Sequence, residues 1–85
     1  MALVLLGTEG CHLCEQAQAL LLNLNGKIPC NLYLEDIAES EDMVARYGER
    51  IPVLKYEAEE GDTEGPEIDW PFSEQDVLRF IQKIA

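Results

Sequence analysis

Cys11-His12-Leu13-Cys14 is the stretch whose reading decides the fold. An apolar run, Ala2-Leu3-Val4-Leu5-Leu6, leads into it, and Gly7, Thr8, Glu9 and Gly10 make a short connecting loop. A continuous apolar run with β-compatible residues reads as a buried strand. From Leu13 the apolar period changes. Leu13, Ala17, Leu20, Leu21 and Leu24 share one helical face, and Glu15, Gln16, Gln18 and Asn23 fall largely off it. Strand, loop, Cys-x-x-Cys and helix is the context in which this cysteine spacing reads as a redox motif. Two cysteines so placed can close a disulfide across the first helical turn. Cys11 also sits where unpaired backbone N–H groups and the positive end of the helix dipole favour a thiolate.

Working outward, Asn25-Gly26 ends the first helix, because both residues tolerate the left-handed conformation. Ile28 to Glu35 reads as a second strand, with Cys30, Leu32 and Leu34 on one face and Asn31, Tyr33 and Glu35 on the other. Asp36 to Gly48 reads as a second helix, with Asp36 as its cap, Glu39, Glu41 and Asp42 near its start, and Gly48 as its stop. Ile37, Met43, Val44 and Tyr47 are its inward-packing residues. Glu49-Arg50-Ile51-Pro52 follows, then a third strand, Val53-Leu54-Lys55-Tyr56. Residues 57–66 are polar, with two glycines and a proline, and read as a turn between strands. Glu67-Ile68-Asp69-Trp70 is a short fourth strand. Ser73 opens the last helix with Asp76 as its capping-box partner. Val77, Leu78, Phe80, Ile81 and Ile84 form that helix's apolar stripe, and Trp70 and Tyr47 are packing residues. The order β-α-β-α-β-β-α predicts an α/β fold, a four-stranded mixed sheet flanked by three helices. The first strand pair is parallel through a right-handed crossover, and the last pair is an antiparallel hairpin.

Eighty-five residues correspond to one domain, 1–85, with a modest core. No apolar run approaches the ~18–20 residues of a membrane span. The first segment is too short, and lacks the basic start, for a secretory signal. A cytoplasmic setting is therefore the default, and there paired cysteines are more often catalytic or metal-binding than structural. The formal charge is −11, from 17 acidic and 6 basic residues. It argues against nucleic acid and anionic lipid as partners and disfavours anionic substrates such as glutathione. Its simplest role is solubility.

This arrangement resembles the thioredoxin superfamily, most closely its small glutaredoxin-like members. Three features carry the resemblance: Gly10-Cys11-His12-Leu13-Cys14-Glu15 after the first strand, Tyr47-Gly48-Glu49-Arg50-Ile51-Pro52-Val53-Leu54, and the element order over nearly the whole chain. The resemblance implies a thiol–disulfide oxidoreductase acting on a protein or low-molecular-weight disulfide, with no bound cofactor or metal and as a monomer. Cys11 would be the nucleophile, attacking as the thiolate. Cys14 would resolve the mixed disulfide. Pro52 would be cis beside Cys11, and the backbone of Ile51 would pair with an extended substrate. Arg50 would anchor a carboxylate. The glycine-pair turn that helps hold glutathione is replaced by Trp70-Pro71-Phe72-Ser73-Glu74-Gln75-Asp76, and Glu9 stands where a basic residue is usual. Redox chemistry thus survives the comparison better than glutathione specificity.

Each residue also has a plainer reading. Thiols in such motifs titrate at ~3.5–7.5, against ~8.5 when free. The helix start and a protonated His12 lower the Cys11 value, and the acidic surface, screened over a Debye length of about 8 Å, raises it less. His12 either stabilises the Cys11 thiolate, making the pair more oxidising, or faces solvent with little influence. Cys30 is a core residue, with a third metal ligand as the sharper alternative. Two other function classes stay open: a redox-inactive adaptor that keeps the fold, and a metal or iron–sulfur binding protein.

Overall fold

A computed structural model describes residues 2–24, 26–29, 31–58 and 65–84. The elements follow the expected order: β1 (Ala2–Gly7), α1 (His12–Asn23), β2 (Asn31–Asp36), α2 (Glu41–Tyr47), β3 (Val53–Glu57), β4 (Glu67–Asp69) and α3 (Glu74–Ile84). The strands form one sheet in the order β2-β1-β3-β4. β1 runs parallel to β2, with Leu3 opposite Leu32 and Gly7 opposite Asp36. It runs antiparallel to β3, with Leu6 opposite Val53, and β3 pairs antiparallel with β4.

β1 is an unbroken apolar run because it is central and covered on both faces, so neither alternating set of side chains meets water. Leu3 and Leu5 point to one side and pack with Ala17, Leu21 and Leu24 of the α1 region and Val77, Phe80 and Ile81 of α3. Val4 and Leu6 point to the other and pack with Ile37, Tyr47 and Val53. Two helices therefore cover one face and α2 covers the other. The α3 stripe is buried at Val77, Phe80 and Ile81. Its capping box is present in both directions: the Asp76 carboxylate accepts from the Ser73 N–H at 2.9 Å, and the Ser73 hydroxyl accepts from the Asp76 N–H at 3.1 Å.

Four expectations are corrected. β2 begins at Asn31, not Ile28. It is an edge strand, and although Leu32 packs partly on the core, Leu34 is 56% exposed. The stretch expected to be one helix is split: a single 3-10 turn, Ile37–Glu39, is capped by Asp36, and Ser40 then caps α2 afresh through the Met43 N–H. Two polar caps in such close succession favour two starts over one continuous helix. Leu13 and Val44, assigned to inward faces, are exposed. β4 ends at Asp69, and Trp70 lies beyond it. The expected helix end at Asn25 and the expected core position of Cys30 lie outside the described residues.

Candidate active site

The cysteine pair sits at the junction of β1 and α1. Gly10 takes a positive φ of 79°, which glycine adopts without steric cost, and turns the chain into the helix. Cys11 is the N-cap of α1, with extended backbone (φ −85°, ψ 109°), and its sulfur accepts from the Cys14 N–H at 3.1 Å. A cysteine here takes the place usually held by a serine or aspartate oxygen. One of the helix's unpaired N–H groups is thereby aimed at the Cys11 sulfur, where negative charge on a thiolate is favoured. Cys11 and Cys14 are joined in a disulfide, with Cα atoms 5.2 Å apart. Cys11 is half-buried, whereas Cys14 is only 8% exposed and packs against β1. The outer sulfur is thus the accessible one.

Cys14 can lie so close to β1 because Gly7 has no side chain. A Cβ on Gly7 would stand 3.0 Å from the Cys14 Sγ and 3.2 Å from its Cβ. Sequence reasoning placed Gly7 in a loop and missed this role. The signal available was a glycine at the end of an apolar strand, which often marks close approach of another element.

His12 does not turn toward the sulfurs. Its imidazole is 86% exposed and lies 3.7 Å from the Glu15 carboxylate, itself 71% exposed. Pro52 is buried, and the Ile51–Pro52 bond is cis. Because Leu6 lies opposite Val53, Pro52 falls at the Gly7 end of the sheet, the end that carries the cysteines. The Ile51 N–H already donates to the Tyr47 carbonyl at 3.0 Å, so the donor half of a pairing with a substrate strand is taken. The Pro52 carbonyl accepts from the Trp70 N–H at 3.1 Å, tying the loop to the chain after β4. The Trp70–Pro71 bond is also cis, which the sequence did not suggest.

Arg50 is engaged within the chain. Its guanidinium donates to both carboxylate oxygens of Asp69, at 2.8 and 3.2 Å, and to Glu67. It also lies 5.1 Å from the centre of the Tyr47 ring. The hydrogen bonds it donates to Asp69 and Glu67 hold its pKa above the ordinary arginine value. The Tyr47 hydroxyl donates to Glu67 at 3.1 Å; burial first, then that bond, raises its pKa. Arg50, Tyr47, Glu67 and Asp69 thus lock the loop before Pro52 onto β4.

On the other flank of the cysteine pair, a groove of about 220 Å³ runs along Cys14, with Leu5, Gly7 and Leu34 among its walls and Glu9, Glu35 and Asp36 on it as well. Among the described residues, no group of three or more His, Cys, Asp and Glu side chains is arranged to hold a metal ion. Among the described residues, no helix is long and apolar enough to cross a membrane.

No curated protein matches the chain. A solved structure does: the X-ray structure of Northeast Structural Genomics target protein XcR50 from X. campestris, at 28% identity. The match covers 95% of this chain and 96% of that one, with a TM-score of 0.75. The three helices on a four-stranded mixed sheet form a thioredoxin-like α/β fold. The model of the glutaredoxin-like domain (DUF836) matches residues 2–82. With that match spanning the sheet, α1, α2, most of α3 and the Cys11–Cys14 pair, the chain belongs to the glutaredoxin-like domain family.

Proposed function

We propose that the protein is a thiol–disulfide oxidoreductase that uses the Cys11/Cys14 pair. The observation that carries this reading is the asymmetric disulfide at the start of α1. Its outer sulfur is accessible and accepts a backbone N–H, and its inner sulfur is packed on β1. In the reduced protein, the Cys11 thiolate attacks one sulfur of a substrate disulfide and releases the first thiol. Cys14 then attacks the Cys11 sulfur, closes the internal disulfide and releases the second thiol. Two electrons pass to the substrate, and the two protons of the dithiol end on the released thiols. No bound cofactor takes part, and a separate thiol reductant restores the dithiol.

Pro52 and the backbone of Ile51 border the substrate opposite the cysteines, His12 lies on the solvent side of the helix start, and Arg50 fixes the loop that presents Pro52. Such a protein would act as a monomer on protein or small-molecule disulfides in the reducing cytoplasm and contribute to thiol redox balance. Glutathione is a weaker candidate substrate, because Arg50 in this loop is already matched by two carboxylates.

The test is a redox titration of the Cys11–Cys14 pair in defined thiol buffers, followed by alkylation, together with trapping by Cys14→Ser. A reversible two-electron transition between about −120 and −270 mV, with a mixed disulfide accumulating on Cys11 of the variant, is expected. If no internal disulfide forms in any buffer, the dithiol mechanism is wrong.

A further inference from the structure

The two edges of the sheet are built differently. β4 is three residues long, is bracketed by Pro66 and Pro71, and carries Glu67 and Asp69, both bonded to Arg50. Short, charged edge strands of this kind resist pairing with another chain. β2, at the other edge, is six residues long and pairs with β1 one residue to one, without a bulge. Residues 31–35 contain no proline and no lysine. Two of their apolar side chains, Tyr33 and Leu34, are 54% and 56% exposed. Among the described residues, no backbone hydrogen bond beyond the β1 ladder involves residues 31–35. β2 therefore presents a regular, open row of N–H and C=O groups with none of the devices that protect β4.

What pairs with such a row is decided by the side chains along it. In an antiparallel pair, directly opposite residues share a face of the sheet. A two-fold axis perpendicular to the sheet therefore passes through one residue, which meets its own copy. With the axis at Tyr33, Leu32 meets Leu34 of the second copy and Asn31 meets Glu35 of the second copy. The leucine pairs lie on the α1 side and the tyrosine pair on the α2 side, because Leu32 and Leu34 lie opposite Leu3 and Leu5 while Tyr33 lies opposite Val4. Each Asn31 amide is placed to donate to the carboxylate facing it. The neighbouring axes are worse. At Glu35, two carboxylates would meet; at Leu34, Leu32 would meet Asp36 and Tyr33 would meet Glu35. The strand is thus complementary to itself in one register.

We propose that β2 is the interface of a reversible homodimer, in which two copies pair antiparallel through residues 31–35 with Tyr33 on the two-fold axis. Their four-stranded sheets then join into one. Each copy keeps its own Cys11–Cys14 pair, so the exchange chemistry stays within one chain, and the dimer does not depend on the redox reading. Leu34 also walls the groove along Cys14, so pairing extends that wall with Leu32 of the second copy. Residues 31–35 fall well short of the ~20–30 residues a side of a standard interface, and each chain carries a charge of −11. The dimer is therefore weak and forms more readily as salt screens the repulsion.

The experiment is sedimentation equilibrium of the full chain from about 10 μM to about 1 mM, in about 1 M salt, where the Debye length is about 3 Å. The weight-average mass should climb from the 9.6 kDa of one chain toward twice that value. Amide hydrogen exchange should slow with concentration in residues 31–35. Tyr33→Lys removes the aromatic pair and sets two ammonium groups against each other on the axis, so it should weaken association at least about fivefold. It also makes each chain less negative, which by itself favours association, so overall charge predicts the opposite sign. Val44→Lys makes the same change of charge at another exposed apolar residue. Val44 shares a groove with Arg50, which is bonded to β4 at the opposite edge, so this variant should associate at least as well as the parent. A mass that stays at one chain up to about 1 mM overturns the proposal and leaves the edge to a different polypeptide. Association that Tyr33→Lys strengthens or leaves unchanged overturns it too, as does slowed exchange confined to residues outside β2. The exchange pattern of the parent decides the matter by itself if the variant folds poorly.

Discussion

Gly7→Ala tests the architecture of the site most directly, because a single methyl group lands on Cys14. Gly7 has no positive φ, so alanine fits its backbone. The question is one of space. The new Cβ would lie 3.0 Å from the Cys14 Sγ and 3.2 Å from the Cys14 Cβ, against ~3.5–4.0 Å for a relaxed contact. Overpacking by one methyl in a close-packed interior costs about 1–3 kcal/mol. The gain from replacing glycine at a compatible position, about 0.4–1 kcal/mol, offsets part of it. A net loss of about 1–2 kcal/mol in the oxidised protein follows, or roughly 5–15 °C in Tm for a domain of this size. The reduced protein should lose less. Bonded to Cys11, the Cys14 sulfur cannot swing away; as a free thiol it can. If about 1 kcal/mol of the crowding is relieved on reduction, the disulfide is selectively disfavoured and the potential rises by about 20 mV. The assay is thermal unfolding of both redox forms alongside redox titration, parent against variant. Equal destabilisation of the two forms, or a potential shifted to more negative values, would refute the claim that Gly7 makes room for the bonded sulfur.

Other consequences are read from the same contacts. Tyr47→Phe removes the hydroxyl whose pKa is raised by burial and by Glu67, so an alkaline ultraviolet titration of the parent should contain a late-ionising phenol that the variant lacks. Because that pKa is raised on folding, the hydroxyl's contribution to stability is present below the ordinary tyrosine value and lost as pH rises through the folded one. Asp76 is shifted the opposite way, downward, by the Ser73 backbone and then side-chain hydrogen bonds. Its contribution is therefore present above the ordinary carboxylate value and lost as pH falls through the folded one, so the stability of Asp76→Asn should converge with that of the parent in acid. Ser73→Ala should cost about 1 kcal/mol in urea unfolding at neutral pH. Arg50→Met should cost on the order of 1 kcal/mol, since the pair with Asp69 and Glu67 is partly solvated. An unchanged urea midpoint would show that Arg50 does not hold the loop.

The fold was legible in the sequence wherever a local signal and burial agree. β1 is apolar throughout because both its faces are covered, and α3 carries both a capping box and a stripe. What failed was whatever depends on a neighbour far along the chain. Leu34 alternates correctly for an inward face, but β2 is an edge strand and nothing covers that position well. Periodicity reports which residues share a face, not whether another layer reaches it. Arg50 looked available for a substrate carboxylate because its partners, Glu67 and Asp69, come 17 and 19 residues later, across the β3–β4 pairing. Their alternation on β4 placed both carboxylates on one side, but only the sheet register shows that this side meets Arg50. Gly7 was overlooked for the same reason, since its meaning lies in Cys14 approaching from α1.

His12 is a residue for which the sequence leaves two readings open, a thiolate stabiliser or a solvent-facing side chain with little influence. Its position between the cysteines suggested a cation beside the thiolate. In the structure the group directed at the Cys11 sulfur is a backbone one, the Cys14 N–H at 3.1 Å. The imidazole stands in solvent against Glu15. An exposed pair of this kind is worth about 0.2–1 kcal/mol, and at 1.4 kcal/mol per 30 mV even the whole of it moves the potential by only about 20 mV. His12→Gln should therefore leave the redox potential within about 20 mV of the parent at neutral pH, while proline at Cys14, which removes the N–H, is not a usable control because it also removes the sulfur. The better comparison is pH. If His12 tunes the pair through its charge, the potential difference between His12→Gln and the parent must change with pH. A difference that stays small and flat from pH 5 to 8 places the control of the thiolate in the helix start itself. One that changes by more than ~60 mV over that range would show that the imidazole turns to Cys11 once the disulfide opens.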